Sequence, residues 1–404
     1  MAYIEKFAKM VEAEDDKDGM LTCGVELEFL VPSIQIGTED PDPDITDLRL
    51  FRTSGNVQQM EYEVRMETLQ QSIGHQSFRD MDYDQLHGSG TNVLDYTIWR
   101  LGCDVSVTKS SDPERDVGPY DWTGCELTSP VMKSDDYVEQ LQEVCEVLKT
   151  LRVHINGSAG VHVHVGLGNE PFSLLTLKKF ATLYLWTEKA ILELQHPSRR
   201  SNAHCHRLAD YSQVTNKSQA LLRGEGPRWN TTFRVFALMT EYLPLDDLSN
   251  LQYNQVNYIW YCNNMEEVAT LMQGEVRPTF FSVPLFDRGS VGFERFLPAG
   301  PAGMAGGNIQ TFEWRQMSGS INADHISQWV NVCLKFTDFC RLSDKDTFRN
   351  LVQKVIKKGK DYTGIELLED LGIDTRFFKR KIEEWKRDSS FCEDNQGRKL
   401  FAPK

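Results

Sequence analysis

The stretch "GVHVHVG" (160–166) alternates valine with histidine between flanking glycines. Successive side chains of an extended strand point to opposite faces, so Val161, Val163 and Val165 share one face and His162 and His164 the other. Two further segments follow the same pattern. In "GVELEF" (24–29), Val25, Leu27 and Phe29 oppose Glu26 and Glu28; in "TFEWRQ" (311–316), Phe312 and Trp314 oppose Thr311, Glu313 and Arg315. Each reads as a strand with one apolar face. Further strands are expected over 92–107 and 119–131, and the first strand is expected to span 21–31 and close at Pro32.

Elsewhere the apolar period changes. After Ser134, a candidate N-cap, Val138, Leu141, Val144, Cys145, Leu148 and Leu151 recur at helical spacing. Helices are also expected over 173–195 and 323–342. Strands and helices intersperse without regular βαβ spacing, which predicts an α+β fold with a largely antiparallel sheet. Residues 1–18 read as a polar lead-in. The 33–90 segment reads as an insertion, with the acidic "TEDPDPDITD" (38–47) as a solvated loop, and 297–308 also reads as loop. The expected organisation is one catalytic domain over 1–343 and a charged helical extension over 344–404 packed on it.

Composition limits the function classes. Across 404 residues, a 40% hydrophobic and 25% charged content is that of a soluble globular protein. No apolar run approaches the roughly 20 residues that span a bilayer. The N-terminus shows no export or organelle signal, so a cytoplasmic location without membrane association is expected. A net charge of −15 argues against nucleic-acid binding, which needs a clustered basic surface. It does not argue against ATP, because Mg²⁺ and a few arginines set the local charge. Nine scattered cysteines without a C-x-x-C spacing argue against a disulfide framework and a cysteine zinc site.

The polar faces of the three strands carry the chemistry. They read acid-acid, imidazole-imidazole and acid-arginine, where an ordinary solvent face mixes Lys, Thr, Ser and Gln. Same-face carboxylates roughly 7 Å apart repel unless a cation or water separates them. "TGCELTSPV" (123–131) adds Glu126 on a short strand. Several carboxylates with one or two histidines suit Mg²⁺ or Mn²⁺ better than zinc. Carboxylate-held cations with arginines are the equipment of phosphoryl transfer from a nucleotide. Arg315 is one candidate; Arg199 and Arg200, in "HPSRRSNAHCH" (196–206), are others. "HCH" (204–206) has no companion ligands for a soft metal, and the glycine-rich 300–307 stretch lacks the G-K-[ST] ending of a P-loop.

In this order, "GVELEF", "ELTSPV" (126–131), "GVHVHVG", "PSRRSN" (197–202) and "TFEWRQMSGSINADHISQWV" (311–330) resemble the amidoligase family of the glutamine synthetase-like carboxylate–amine ligase superfamily. The resemblance implies a curved antiparallel sheet forming a partial barrel, with flanking helices, that binds ATP and Mg²⁺ or Mn²⁺. It implies Glu26, Glu28, Glu126, Glu313 and His164 as metal ligands, with His162 the second choice of the two histidines for metal or phosphate. It implies Arg315 as the residue that stabilises the transferring phosphoryl group; Glu313 and Arg200 are the further catalytic candidates, and Arg199 is a candidate for binding the nucleotide. The implied reaction joins a small-molecule or peptide carboxylate to an amine through an acyl phosphate. The alternatives are a metal-dependent hydrolase using the same carboxylate–histidine pocket without ATP, and an inactive relative that only binds.

Overall fold

The apolar face of "GVELEF" becomes the inner face of a long strand. Six strands and three helices frame the functional residues: β1 (Thr22–Gln35), β2 (Trp99–Cys103), β3 (Asp121–Thr128), β4 (Gly160–Gly166), β5 (Val291–Gly292), β6 (Thr311–Ser318), α1 (Tyr137–Leu148), α2 (Leu174–Glu193) and α3 (Ala323–Leu342). The computed structural model describes residues 19–45, 49–53, 78–80, 96–108, 120–202, 205–225, 233–274, 276–277, 285–286, 288–298, 310–387 and 393–394. The expected lead-in (1–18), most of the insertion and most of the 297–308 loop lie outside them. The chain forms two units: one of residues 23–163, 317–330 and 389–404, the other of residues 1–22, 164–316 and 331–388.

In the first unit, β1 pairs antiparallel with β3, and β3 with β2. The register lines up Leu27, Leu127 and Leu101 on one face, all buried. The next row, on the opposite face, is Glu26, Thr128 and Arg100. A one-residue slip of any strand would exchange the leucines with charged groups, so burial of the leucines fixes which face carries the acids. Residues 160–163 of β4 flank β1 on its other side. Helix α1, with Asp136 and not Ser134 at its N-cap, buries Tyr137, Leu141, Val144, Cys145 and Leu148; of the expected set, Val138 is exposed and Leu151 lies beyond the helix.

Two expectations change here. β1 does not close at Pro32 but runs on to Gln35, with Pro32 opposite Trp122 and Ser33–Gln35 paired in parallel with Phe51–Thr53. Proline lacks only an N–H, and in an antiparallel pair alternate residues exchange no hydrogen bond, so the ladder can pass through it. The acidic loop is not simply solvated. Arg152, 2% exposed, donates to both carboxylate oxygens of Asp40 (2.9 and 2.7 Å) and to the Ile45 carbonyl (2.7 Å). Tyr120 Oη donates to Asp42 (2.6 Å). A buried guanidinium needs such a partner, and the loop supplies it.

In the second unit, β5 pairs antiparallel with β6, placing Val291 opposite Trp314 and Gly292 opposite Glu313. Residues 164–166 of β4 flank β6. Among the described residues, the strand path returns on itself in neither unit, so neither set of strands is closed into a barrel. An aromatic core fixes β6: Phe180 of α2 stacks on Phe312 with centroids 3.8 Å apart and meets Trp314 edge-on at 5.4 Å, with Phe293 and Phe336 around it. These rings bury the apolar side of β6, which leaves Thr311, Glu313 and Arg315 on the other.

α2 starts at Ser173, whose hydroxyl accepts from the Thr176 N–H. Between 344 and 387 the chain forms the helices Lys345–Lys358, Gly364–Asp370 and Arg376–Arg387. The first two pack on α2, with Lys179 donating to the Ser343 carbonyl (2.7 Å) beside the first and Gly364 N–H donating to Glu193 (3.2 Å). Among the described residues, no helix is long and apolar enough to cross a membrane.

Candidate functional site

The first unit gathers three of the singled-out glutamates around one histidine. Glu28 and Glu126 are direct cross-strand partners on β1 and β3. Directly opposed side chains have Cβ atoms about 4.5–5.5 Å apart, and like charges there are destabilising. His162 stands between acids: its Nδ1 lies 3.0 Å from Glu26 Oε2 and its Nε2 3.5 Å from Glu28 Oε1. Donor atoms of Glu28, Glu126 and His162 all lie within 4.8 Å of one another, close enough to share one metal ion. The carboxylates are held in place, since Gly160 N–H donates to Glu28 Oε2 (2.6 Å) and the Thr128 hydroxyl to Glu126 Oε1 (3.3 Å).

Charge counting favours a cation here. Three ionised glutamates against a charged His162 and the Arg100 guanidinium on the same face still leave one negative charge in excess, and more when the imidazole is neutral. The donors are mostly oxygen, as Mg²⁺ and Mn²⁺ prefer. His162 is 3% exposed and Glu28 5%, so water screens these two less than it would on a surface, while Glu26 and Glu126 are half-buried.

The second unit holds the remainder of the set. His164 Nδ1 is 3.1 Å from the Thr311 hydroxyl, and its Nε2 is 3.9 Å from Glu313 Oε1. Glu313 is ion-paired with Arg315, and each is 7% exposed. Arg199, 2% exposed, donates through Nη2 to the Arg315 carbonyl (2.6 Å), which makes it a tether for that strand. The side chain of Arg200 lies outside the described residues. Behind β6, Arg315 N–H donates to the Ser290 carbonyl (2.9 Å). The Ser290 hydroxyl donates to the fully buried Glu188, which also caps the backbone N–H groups of Leu208 (2.7 Å) and Ala209 (2.9 Å).

Two residues on these faces carry no signal in the sequence. Arg100 of β2 is 7% exposed on the acid-bearing face, in the same cross-strand row as Thr128 and Glu26. Glu294 follows β5, and its buried Oε2 accepts no hydrogen bond. Burial pushes the Glu294 carboxyl above its ordinary value, the Glu313 charge adds to this, and Arg315 opposes it. Gly292 makes room for the pair: a Cβ there would collide with Glu294 Oε2 and sit 3.2 Å from Glu313 Oε2. In "GFERF" (292–296) the glutamate has no alternating partner, so only the fold shows its setting.

The "HCH" stretch offers no soft-metal site among the described residues, which include Cys205 and His206 but not His204. Burial pushes the Cys205 thiol up to about 11, against the pull of Arg199, so the thiolate that a soft metal needs is disfavoured. The eight described cysteines are free thiols, seven of them buried.

With this geometry established, the chain can be compared with known proteins. A family model described as "putative amidoligase enzyme" matches residues 19–224, just over half of the chain. The chain belongs to this amidoligase family. The match contains "GVELEF", "ELTSPV", "GVHVHVG" and "PSRRSN"; "TFEWRQ", with Glu313 and Arg315, lies beyond its end. None of the curated proteins compared with this amidoligase matches it.

Proposed function

We propose that this amidoligase is an ATP- and Mg²⁺-dependent carboxylate–amine ligase. The observation that carries the reading is the convergence of Glu28, Glu126 and His162 donor atoms within 4.8 Å, in a chain whose family is named for amide formation. Glu26, Glu28, Glu126 and His162 would hold Mg²⁺ or Mn²⁺, which neutralises charge on the nucleotide phosphates when bound. Within the second unit, Arg315, ion-paired with Glu313 and held by Arg199 through its carbonyl, would be the residue that stabilises a transferring phosphoryl group.

The chemistry follows from the poor electrophilicity of a carboxylate. A substrate carboxylate oxygen attacks the γ-phosphorus of ATP and ADP leaves. The resulting acyl phosphate carries a competent leaving group. The amine nitrogen then attacks the acyl carbon, phosphate departs, and the amine gives up a proton as the amide forms. The protein contributes position and electrostatics, not a covalent nucleophile.

The test is to incubate purified protein with ATP, Mg²⁺, hydroxylamine and a panel of carboxylic acids. Hydroxamate and ADP should form in equal amounts for at least one acid. Turnover of amide or ester substrates without ATP would instead favour a metal-dependent hydrolase.

A further inference from the structure

The first unit contains a buried cation to which the ligase chemistry assigns no task. Arg100 projects from β2 on the same face as Glu26, Glu28 and Glu126, because β2, β3 and β1 are in register as Arg100–Thr128–Glu26. Its apolar neighbours in sequence, Trp99 and Leu101, turn to the core. Its Nε is buried and donates no hydrogen bond, and among the described residues no ion pair engages its guanidinium.

Such a residue needs an explanation. A guanidinium stays charged at any ordinary pH, so it cannot escape burial by losing its proton. The carboxylates on its face have other partners: Glu126 accepts from Thr128, Glu28 from the Gly160 N–H, and Glu26 faces His162. Arg152 in the same unit shows the usual solution, with Asp40 chelating both terminal nitrogens. Among the described residues, Arg100 has no such internal acid. A guanidinium without an acid partner among the described residues, on the wall that carries the metal-type ligands, is suited to a carboxylate or phosphate oxyanion from outside the chain.

We infer that Arg100 is the oxyanion-binding residue of this face and receives a carboxylate or phosphate group of a substrate. Its place one strand beyond Glu126 puts the anion site on the wall that carries the carboxylate–histidine cluster. The choice between the acid substrate and ATP rests on the ligase reading; the anion site itself does not.

The test uses Arg100→Met and Arg100→Lys in the full chain, with inorganic phosphate and acetate as probes in thermal unfolding and nucleotide binding measured with Mg²⁺. Each protein's shift is read against its own unfolding temperature without ligand. Arg100→Met should lose the upward shift the probes give wild type, while Arg100→Lys keeps part of it. In the ligase assay, Arg100→Met should raise the KM of the accepted acid at least tenfold if the group held is its carboxylate. If the group is a phosphate of ATP, nucleotide affinity should fall by that factor instead. Equal probe shifts in wild type and Arg100→Met, with unchanged acid KM and nucleotide affinity, would overturn the inference. Probe shifts that depend on Arg100 in a protein that never consumes ATP would leave the anion site standing and remove only the ligase reading.

Discussion

Replacing Glu126 by glutamine separates the two tasks of its carboxylate, which are to accept from Thr128 and to add negative charge opposite Glu28. The donor atoms of Glu28, Glu126 and His162 lie within 4.8 Å of one another. Two like unit charges at that distance repel by about 3 kcal/mol at an effective dielectric of about 20. His162, whose donor atom lies within the same 4.8 Å of Glu126, offsets this to the extent that it is charged, so the net lies between about 0 and 3 kcal/mol. Glutamine retains an acceptor for Thr128, so Glu126→Gln should stabilise the metal-free protein by that amount and raise its Tm by up to a few degrees. The same change removes a metal ligand. Wild type should gain about 2.7 kcal/mol at a Mn²⁺ concentration 100 times its Kd, and the variant much less. Differential scanning fluorimetry with and without Mn²⁺ reads both effects. A variant less stable than wild type without metal, or one that keeps the full Mn²⁺ shift, would refute the reasoning.

Asp40→Asn leaves buried Arg152 without its counter-ion and should cost about 1–3 kcal/mol in urea unfolding. Arg152 holds the Asp40 carboxyl below the ordinary carboxylate range. The stabilisation is therefore fully present above the unfolded value and lost as pH falls through the lowered folded value. Unfolding midpoints across acid pH should show that loss in wild type and not in Asp40→Asn. Phe180→Ala removes the ring stacked on Phe312 and should destabilise by about 3–5 kcal/mol, with ligase activity falling as β6 loosens. Gly319→Ala drives a methyl to 2.6 Å from Ile155 Cγ2 and 2.8 Å from Ala159 Cβ, an overpacking that should cost about 1–3 kcal/mol in urea unfolding.

Alternation makes β1, β4 and β6 legible from residue order alone, because a period of two with valine, leucine or aromatics on one face has one stable placement. Helix α3 is equally plain, expected over 323–342 and found as Ala323–Leu342. What local pattern does not carry depends on register. Arg100 in "TIWRLGC" (97–103) is an ordinary arginine until β2 is aligned with β3 and β1, which puts it on the acid face. Glu294 gains its setting only when β5 lies beside Glu313. The Arg152–Asp40 pair joins residues 112 positions apart, a distance at which local pattern carries no information. His162 and His164 illustrate both limits: alternation puts them on one face, but only the neighbouring strands give His162 to Glu26 and Glu28 and His164 to Thr311 and Glu313.

The central claim is that a substrate carboxylate is activated by phosphoryl transfer from ATP. The most direct measurement starts from an accepted acid labelled with ¹⁸O in its carboxylate, incubated with Mg²⁺–ATP and hydroxylamine, and analyses the released phosphate by mass spectrometry. Attack of the carboxylate on the γ-phosphorus predicts one ¹⁸O in the phosphate for each amide formed, and no turnover by Glu28→Gln or Arg315→Gln. Unlabelled phosphate, or product formed without ATP, would contradict it.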